Sequence, residues 1–340
     1  MPEQTQVSAP ARLHFGLFSI GKQTQVRFGG AGLMLDGPRT VVTARGCDRL
    51  VIEDCSGGED SDPSGPSRSL LVDSLTSAVH RWFEHTQMLL PDVCQPQELP
   101  LRLTIESRAQ RHVGLGSGTQ LTLATVVSAA AHLDIPLPTV SELGAITGRG
   151  RRSAIGSHGF WSGGFLVDRG KTQDDDLAPL DLQFEFPQRW PIVTLIPEKS
   201  AGLSGAQEKE AFRTLPETTE DERIQMTRLV RDEIAPAILN QDYERFAVGL
   251  RRFGQQSGAM FAAAQQGNYN GPVVTQLVET VINLGVPAVG QSSWGPCVFA
   301  ICPDPAAAHR LVAQLLERSD STVQISVRHA DNQGVRIESQ

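Results

Sequence analysis

The sequence predicts an α+β protein with two domains, and three observations support this prediction. The chain has 340 residues, of which 40 % are hydrophobic, and this length favours two cores over one. In both halves, segments with the period of a strand flank segments with the period of a helix. The Phe-Pro pair at positions 186 and 187 marks a boundary between the halves. We therefore expect an N-terminal domain over residues 1–187 and a C-terminal domain over residues 188–340.

The first half begins with strands and then alternates them with helices. Alternating apolar residues predict strands at 7–20, 40–44, 49–53 and 100–106, the second and third of which are expected to pair. Apolar residues three and four apart predict a helix at 69–85 and a short one at 141–146, begun by Ser141. Residues 54–68 indicate a mobile acidic loop without chemistry. A strand at 165–167 and a solvated turn at Asp174–Asp176 complete this half.

A glycine-rich turn stands directly before a long apolar helix at residues 121–133, which is apolar on almost every side and therefore expected to be buried. The glycines permit positive φ values, and the hydroxyls lie where the first N–H groups of a helix have no partner. These N–H groups and the helix dipole favour a bound anion. The candidate phosphate-binding residues are Gly114, Leu115, Gly116, Ser117, Gly118 and Thr119.

One alternative to phosphate binding at this turn stays open, and two are excluded. A plain turn with a helix cap remains an alternative. A P-loop is excluded because no Lys follows Gly118. A dinucleotide fold is excluded because no acidic residue follows a βαβ pattern at the required distance of about twenty positions.

Two groups of arginines are candidates for anion contacts because each stands among glycines. Arg27 begins the segment RFGGAGL, and Arg149, Arg151 and Arg152 lie in the segment GRGRR. Guanidinium groups bind carboxylate and phosphate oxygens through paired hydrogen bonds. The alternatives are a hairpin with a solvated Arg27 and a surface charge run.

Two further candidates follow the arginines. His158 and Trp161 occur in a segment, residues 153–171, that contains three isolated small-residue turns. A histidine and an aromatic ring among such turns are candidates to line a cleft, with core packing as the alternative for the tryptophan.

The second half predicts helices between strands. Strands are expected at residues 190–196, 298–302 and 322–327, and helices at 221–239, 242–264, 273–284 and 305–317. A glycine loop at 197–205 holds Lys199. A second glycine turn, GQSSWGP, holds Ser292, Ser293 and Trp294 directly before a strand.

The composition limits the classes of partner and compartment. A net charge of −8 argues against nucleic acid as the main partner, because binding to the phosphate backbone usually requires a basic surface. Five cysteines without CxxC spacing indicate reduced thiols and no structural zinc. The N-terminus lacks signal-peptide regions, and no apolar run reaches the length of a membrane span. We expect a cytoplasmic protein with no membrane partner.

Three blocks together resemble the GHMP kinase superfamily: RLHFGL at residues 12–17, GLGSGTQ at 114–120 and GQSSWGP at 290–296. This resemblance implies an N-terminal domain like the second domain of ribosomal protein S5, a ferredoxin-like C-terminal domain and a ligand between them. With RFGGAGL added, the blocks look most like the beta-ribofuranosylaminobenzene 5'-phosphate synthases. That similarity implies a phosphoribosyl-transferring enzyme of methanopterin biosynthesis. It would condense phosphoribosyl pyrophosphate with 4-aminobenzoate and release carbon dioxide and pyrophosphate.

The implied reaction gives each candidate a role. Pyrophosphate needs backbone donors and Mg²⁺, and Ser117 is placed to help with both. The four arginines are candidates for the sugar phosphate or the benzoate carboxylate, and Trp161 or Trp294 could stack on the ring. Ser292 and Ser293 join the expected substrate site. The candidate catalytic residues are Arg27, Ser117 and His158, and the expected partners are small molecules, with a homodimer as a possible assembly.

The chain departs from both groups at one position each. In the kinases a catalytic Asp follows a Gly-Ile-like pair, whereas Gly156 follows Ala154 and Ile155 here. General-base catalysis typically contributes about 10²–10⁴-fold, so this loss argues against phosphorylation of a hydroxyl group. The synthases often carry an Asp where this chain has Ser19. An ATP-dependent small-molecule kinase with another carboxylate, and a phosphate-ligand sensor without turnover, remain the alternative functions.

Overall fold

The computed structural model describes residues 2–21, 23–57, 66–90, 92–93, 95–173, 175–198, 205–318 and 322–340. Three expectations fall outside these residues: the middle of the 54–68 loop, Lys199 with most of its glycine loop, and Asp174.

Strands and helices alternate along both halves of the described chain. The strands are β1 Gln4–Leu17, β2 Gly30–Gly46, β3 Val51–Asp54, β4 Leu101–Ser107, β5 Phe165–Asp168, β6 Leu180–Phe184, β7 Ile192–Pro197, β8 Val289–Gln291, β9 Val298–Ile301, β10 Val323–Arg328 and β11 Arg336–Ser339. The helices are α1 Pro66–Thr86, α2 Ser117–His132, α3 Val140–Thr147, α4 Ile155–Ser162, α5 Gly205–Thr214, α6 Glu220–Arg228, α7 Ala235–Leu239, α8 Tyr243–Met260, α9 Ala262–Gln265, α10 Gly271–Asn283 and α11 Pro305–Arg318. A π-helical segment, Leu229–Ile234, joins α6 to α7.

The first sheet is organised around the long strand β2. Its strand order is β11-β1-β2-β4-β3, and β5, with β6 beyond it, also pairs with β2. Strand β2 can hold three neighbours because β1 runs along one side while β4 and β5 share the other. Strand β3 pairs with β4 in parallel and not with β2. The expected pairing of residues 40–44 with 49–53 is therefore wrong, because the crossover through α1 returns the chain beside β3.

The helix after the glycine turn is buried on nearly every side, as its composition predicts. Its residues Leu121, Leu123, Val126 and Val127 are at most 2 % exposed. They pack in one core with residues of the first sheet and with Trp82 of α1. This packing fixes the N-terminus of α2, and with it the glycine turn, relative to the first sheet.

The second sheet has the ferredoxin-like arrangement. Its antiparallel order is β10-β7-β9-β8, and its elements follow one another as strand, helices, strand, strand, helix, strand. One face packs against α10 and α11. The other face packs against helices of residues 226–253 and the first sheet. Both domain types that the resemblance implied are therefore confirmed.

The C-terminus returns to the first sheet. Strand β11 pairs antiparallel with β1, joining residues of the two ends of the chain. A division at residues 187 and 188 thus separates the two sheets except for this strand, and as a boundary between folding units it stays a prediction.

Two local expectations differ from the structure. Helix α3 is capped by Thr139, whose hydroxyl accepts from Glu142 N at 3.3 Å, so Ser141 is not its first residue. Helix α4 forms where the sequence predicts turns. The turns are expected there because glycines lower helix propensity. Gly159 is needed in this helix for packing, since a Cβ there would overlap Met34 Sδ of β2.

None of the helices in the described residues has the length and apolar character that a membrane crossing requires.

Candidate active site

The glycine turn leaves the first turn of α2 open to a ligand. Gly114 and Gly116 have φ values of +97° and +72°, in the region that favours glycine. Gly116 occupies the N-cap of α2, and no side chain caps the helix there. Thr119 N and Gln120 N both donate to Gly116 O, at 3.0 and 3.1 Å, so the N–H groups left for an anion at this helix start are those of Ser117 and Gly118.

Two hydrogen bonds fix this turn to both domains. Arg12 N of β1 donates to Leu115 O at 2.9 Å. The Ser292 hydroxyl, which belongs to the C-terminal domain, donates to Gly114 O at 2.7 Å and accepts from His14 N at 3.0 Å. The turn is therefore positioned where the first sheet meets the GQSSWGP turn.

A cavity of about 310 Å³ lies between the two domains beside this turn. The end of β1, the segment 148–153, helix α8 and residues 291, 293 and 294 contribute to its walls. The described residues lining it include four arginines and neither Asp nor Glu: Arg12, Arg149, Arg151 and Arg152. This charge distribution favours an anionic ligand. We call this cavity the cleft.

Arg149 joins the cleft to the start of α2. Its Nη2 donates to Thr122 Oγ1 at 2.9 Å. A Cβ on Gly118 would lie 3.6 Å from Arg149 Nη1. Burial, together with the charges of Arg111 and Arg81, lowers the pKa of Arg149. A guanidinium still stays protonated at neutral pH, so an anion here would meet a partly desolvated positive charge.

The side of the cleft formed by the C-terminal half is aromatic. Phe212, Phe261 and Trp294 pack edge to face, with ring centroids 4.8–5.7 Å apart. The guanidinium carbon of Arg152 lies 4.5 Å from the centroid of the Phe212 ring. We call these three rings the aromatic wall. A flat ring carrying an anionic group fits a surface that joins aromatic rings to an arginine.

His14 adds an uncharged imidazole to the cleft. Its side chain is 5 % exposed, and Nε2 has no hydrogen-bond partner among the described residues. Burial and the neighbouring charge of Arg12 lower the pKa of His14 to about 3. The ring is therefore neutral across the physiological range.

Gly156 brings no acidic group to this site. A Cβ at this position of α4 would lie 3.4 Å from Thr119 Cγ2 and 3.6 Å from Arg12 Cδ. Its carbonyl oxygen accepts from Gln120 Nε2 at 2.8 Å. The glycine thus lies close to the start of α2 and beside Arg12.

The structure brings many of the expected residues together. Those lining the cleft are Thr119, Arg149, Arg151, Arg152, Ser293 and Trp294. Gly114, Gly116, Ser117 and Gly118 form the turn next to it, whereas Leu115 lines a separate cavity between the turn and the second sheet. Ser292 is fully buried, so its hydroxyl holds the turn and is not exposed to a ligand.

Three expected residues, Arg27, His158 and Trp161, are not among the residues that line the cleft. Arg27 pairs with Lys171 through both backbone groups at 2.9 Å, and its side chain is not among those lining the cleft. His158 Nε2 lies 2.9 Å from Ala178 O, and Trp161 packs edge to face on Phe160. Because α4 is a helix, positions 158 and 161 point roughly 200° and 140° away from position 156.

Sequence patterns did not single out Arg12, His14, Phe212 and Phe261 as site residues, although all four line the cleft. The signal for the first two was present in RLHFGL. Positions 12 and 14 share one face of a strand, and a charged residue in a buried strand needs a reason to be there. No comparable signal marked the two phenylalanines.

The described residues offer little for a resident metal. No group of three or more His, Cys, Asp or Glu residues within them could hold an ion. Ser117, the expected Mg²⁺ contact, begins α2 and is 8 % exposed. The cleft supplies no carboxylate from its described lining to accompany it, so these residues do not fit a metal held by the protein alone.

Family comparisons agree with both domains of the fold. Residues 76–160 match the GHMP kinase N-terminal domain, and residues 234–320 match the GHMP kinase C-terminal domain. Together the two matches span half of the chain.

Two curated relatives extend the similarity over most of the chain. The beta-ribofuranosylphenol 5'-phosphate synthase of Methanothermobacter thermautotrophicus is 28 % identical over 323 residues, covering 91 % of this chain and 92 % of the relative. The protein of the same name from Archaeoglobus fulgidus is 26 % identical over 347 residues, covering 98 % of this chain and 99 % of the relative.

A solved structure agrees on the fold. Homoserine kinase from Cytophaga hutchinsonii superposes with a TM-score of 0.61 at 16 % identity, covering 99 % of this chain and 98 % of the kinase. The fold, both family domains and the full-length relatives agree, and the chain belongs to the GHMP kinase superfamily.

Proposed function

We propose that this protein is a decarboxylating phosphoribosyltransferase of the beta-ribofuranosylaminobenzene 5'-phosphate synthase type, acting in methanopterin biosynthesis. Its substrates are phosphoribosyl pyrophosphate and 4-aminobenzoate. The observation that carries the proposal is a cleft with four arginines, no lining acid among the described residues, and an aromatic wall. The names of the full-length relatives support the same chemistry.

The reaction balances without a protein base. The bond between ribosyl C1 and the pyrophosphate oxygen breaks, and its electron pair leaves with pyrophosphate. The ring carbon bearing the carboxylate forms a bond to C1. The bond from that carbon to the carboxylate then breaks, returns its electrons to the ring and releases carbon dioxide. Since no proton has to be removed, Gly156 is compatible with this reaction.

The protein's contribution is positioning and charge stabilisation. The start of α2 binds phosphate oxygens through the N–H groups that have no intrahelical partner. Arg149, Arg151 and Arg152 bind the sugar phosphate and the benzoate carboxylate. Trp294 and its two phenylalanine neighbours contact the aromatic ring. The cleft lies between the domains, so both substrates meet at the same place.

Mg²⁺ remains part of the proposal as an ion that arrives with pyrophosphate. Because the described cleft residues supply no carboxylate, the pyrophosphate oxygens would provide most of its ligands, with Ser117 as a protein contact. When bound, such an ion would neutralise charge on the leaving group.

The acceptor is the point on which the names differ. The relatives are named for a phenol product, whereas the family resemblance of this sequence is to synthases of an aminobenzene product. Amino and hydroxyl groups are both neutral polar substituents para to the reacting carbon.

The proposal also covers compartment, partners and assembly. The protein acts on small molecules in the cytoplasm, without nucleic acid or membrane, and a homodimer is the assembly to test.

A direct assay tests the function. The purified protein is incubated with phosphoribosyl pyrophosphate, Mg²⁺ and either 4-aminobenzoate or 4-hydroxybenzoate, carboxyl-labelled with ¹⁴C. We expect equal amounts of released ¹⁴CO₂ and pyrophosphate with 4-aminobenzoate, and the second acceptor measures how strongly the substituent matters. Turnover with neither acceptor, while pyrophosphate or phosphoribosyl pyrophosphate still binds, would favour a sensor instead.

A further inference from the structure

Arg12 lies between the two glycines that border the reaction site. Its backbone N donates to Leu115 O at 2.9 Å. A Cβ on Gly116 would come within 3.2 Å of both Cβ and Nε of Arg12. A Cβ on Gly156 would lie 3.6 Å from Arg12 Cδ. The stem of this arginine therefore runs from β1 past the N-cap of α2 toward α4.

The other cleft arginines have other neighbours. Arg149 donates to Thr122, and a Cβ on Gly118 would lie 3.6 Å from its Nη1, so its guanidinium lies beside the first turn of α2 and not beside Gly116. Arg151 lies against Gly148, where a Cβ would be 3.3 Å from Nη2. Arg152 lies over the Phe212 ring of the aromatic wall. Arg12 is thus the cleft arginine whose side chain lies beside the position that a Cβ of the N-cap residue would occupy, directly before the open N–H groups of α2.

We propose that Arg12 is the catalytic residue that binds the departing pyrophosphate. This inference rests on the proposed function and assigns its leaving-group site. As the C1–O bond breaks, negative charge grows on the pyrophosphate oxygen. A guanidinium next to helix N–H groups stabilises that charge more than the ground state, which is the requirement for catalysis.

The surroundings of Arg12 favour an anion at this place. The neighbouring imidazole of His14 is neutral. It therefore neither repels the Arg12 guanidinium nor offers an anion a second positive charge. No Asp or Glu of the described residues lines the cleft. Gly156 leaves space beside the stem and adds no charge there.

Pyrophosphate itself is the first probe, because its binding can be measured without turnover. We compare the wild type with Arg12→Lys and Arg12→Ala by calorimetry, with Arg45→Ala as the control. Arg45 is an exposed arginine of β2 that bonds to Gln4, so its loss removes the same charge far from the cleft. We expect Arg12→Ala to weaken pyrophosphate binding about 10- to 100-fold and Arg12→Lys to recover part of it. Arg45→Ala should bind like the wild type.

Turnover supplies the second readout. In Arg12→Ala, kcat should fall by roughly 10²–10³-fold, whereas the KM for the aromatic acceptor should change little. Added guanidinium ion should restore part of the lost kcat. A merely structural role for Arg12 would predict neither the split between kcat and KM nor the rescue.

A pair of variants at Gly156 tests whether the positive charge of Arg12 binds pyrophosphate, without changing Arg12 itself. Gly156→Asp places a carboxylate beside the arginine stem, and Gly156→Asn adds a side chain of the same shape without charge. The Cβ that both variants add would lie at ordinary van der Waals distances from its neighbours. We expect Gly156→Asp to weaken pyrophosphate binding at least about tenfold more than Gly156→Asn, because the new ion pair competes with the ligand.

The outcomes separate this inference from the proposed function. Wild-type pyrophosphate binding that depends on Arg12, in a protein without synthase turnover, would retain the site and reject the reaction. An active enzyme whose Arg12→Ala variant keeps its pyrophosphate affinity and kcat would overturn the inference alone. Equal effects of Gly156→Asp and Gly156→Asn would also overturn it.

Discussion

The Ser292 hydroxyl donates to the carbonyl oxygen of Gly114 at 2.7 Å, and this contact joins the C-terminal domain to the glycine turn of the N-terminal domain. The same hydroxyl oxygen accepts from His14 N at 3.0 Å. One buried hydroxyl therefore satisfies a donor on β1 and an acceptor in the turn. The geometry of the anion site depends on a residue about 180 positions away in the sequence.

Ser292→Ala should destabilise the protein and loosen the turn. Two buried backbone groups would lose their partner, which typically costs about 1–3 kcal/mol for each unsatisfied group. Urea unfolding should show the loss in free energy, and the KM for phosphoribosyl pyrophosphate should rise. Ser293→Ala is the control, since Ser293 meets β1 through its backbone N, at 3.1 Å from His14 O. Equal stability of the two variants would show that the hydroxyl bridge contributes little.

The three glycines of the turn should respond to alanine in a fixed order. Gly114→Ala should be the most harmful, because its φ is +97° and a Cβ would overlap Ser292 O. Gly116→Ala should be intermediate, with strain at φ +72° and a contact of 3.2 Å with Arg12. Strain at such positions costs roughly 1–3 kcal/mol. Gly118→Ala should be tolerated, because it lies in α2 with an open contact of 3.6 Å.

Unfolding free energy and pyrophosphate affinity, measured on all three variants, check this order. A Gly118→Ala variant that is as damaged as Gly114→Ala would mean that the turn is sensitive to any added volume. The conformational argument would then be wrong.

The glycine turn and α2 could be predicted from sequence because their signals are local. Glycines, hydroxyls and an all-round apolar helix occur within residues 114–133 and need no distant partner to be recognised. The arginines at 149, 151 and 152 were identified in the same way, from a run of charge among glycines. Their place in the cleft follows from the tertiary fold, which the resemblance supplied.

Glycines that serve packing and contacts between distant segments are the features that local patterns do not show. The glycines near Arg27 indicated an anion contact, yet a Cβ on Gly30 would overlap the Gly16 carbonyl oxygen of the neighbouring strand. Gly156 and Gly159 indicated turns where α4 forms, because propensity is a weak prior that tertiary contacts override. The return of β11 to pair with β1 is a long-range contact that no local pattern marks.

A buried carboxylate holds the beginning of α4 and Ser153, the residue directly after the GRGRR segment. Asp168 accepts from Ser153 Oγ at 2.9 Å, from Ala154 N at 2.9 Å and from Gly170 N at 3.0 Å. Burial raises the pKa of Asp168 to about 6, and these hydrogen bonds oppose that rise only in part. Between pH of about 4 and 6 the folded state therefore retains a proton that the unfolded state releases.

The unfolding free energy of the wild type, relative to Asp168→Asn, should fall as the pH rises from about 4 through about 6. A raised folded-state pKa contributes stability below the unfolded pKa, and that contribution is lost as the carboxyl ionises. The fall should reach at most roughly 3 kcal/mol. Urea unfolding of both proteins at four pH values measures it. A difference that stays constant across this range would contradict the raised pKa.

Arg151→Ala should weaken binding of the anionic substrates, whereas Arg27→Ala should not. Arg151 lines the cleft, and Arg27 does not. We expect the KM values of Arg151→Ala to rise about tenfold or more at low ionic strength, with partial recovery in Arg151→Lys because the paired hydrogen-bond geometry is lost. Higher salt should reduce the difference from wild type. A larger defect in Arg27→Ala than in Arg151→Ala would place the anion site at the hairpin instead.

The last prediction concerns the reaction class, and it follows from the residues of α4 that face the start of α2. Gly156 carries no carboxylate, and His158 is held at 2.9 Å from Ala178 O on another side of α4. Phosphoryl transfer depends mostly on positioning, so a missing base would leave a kinase slow but measurable. We expect ATP with homoserine, mevalonate or galactose to give no phosphorylated product above background.

The same preparation should consume phosphoribosyl pyrophosphate only when 4-aminobenzoate is present, and His158→Gln should leave that rate within about twofold of the wild type. Radiolabelled ATP and thin-layer separation detect the kinase product, and pyrophosphate release measures the synthase reaction in parallel. Robust phosphorylation of any of the three alcohols would favour a kinase over the synthase. Loss of that phosphorylation in His158→Gln would then identify the histidine as its base, and would require α4 to turn from the orientation that directs His158 to Ala178 O.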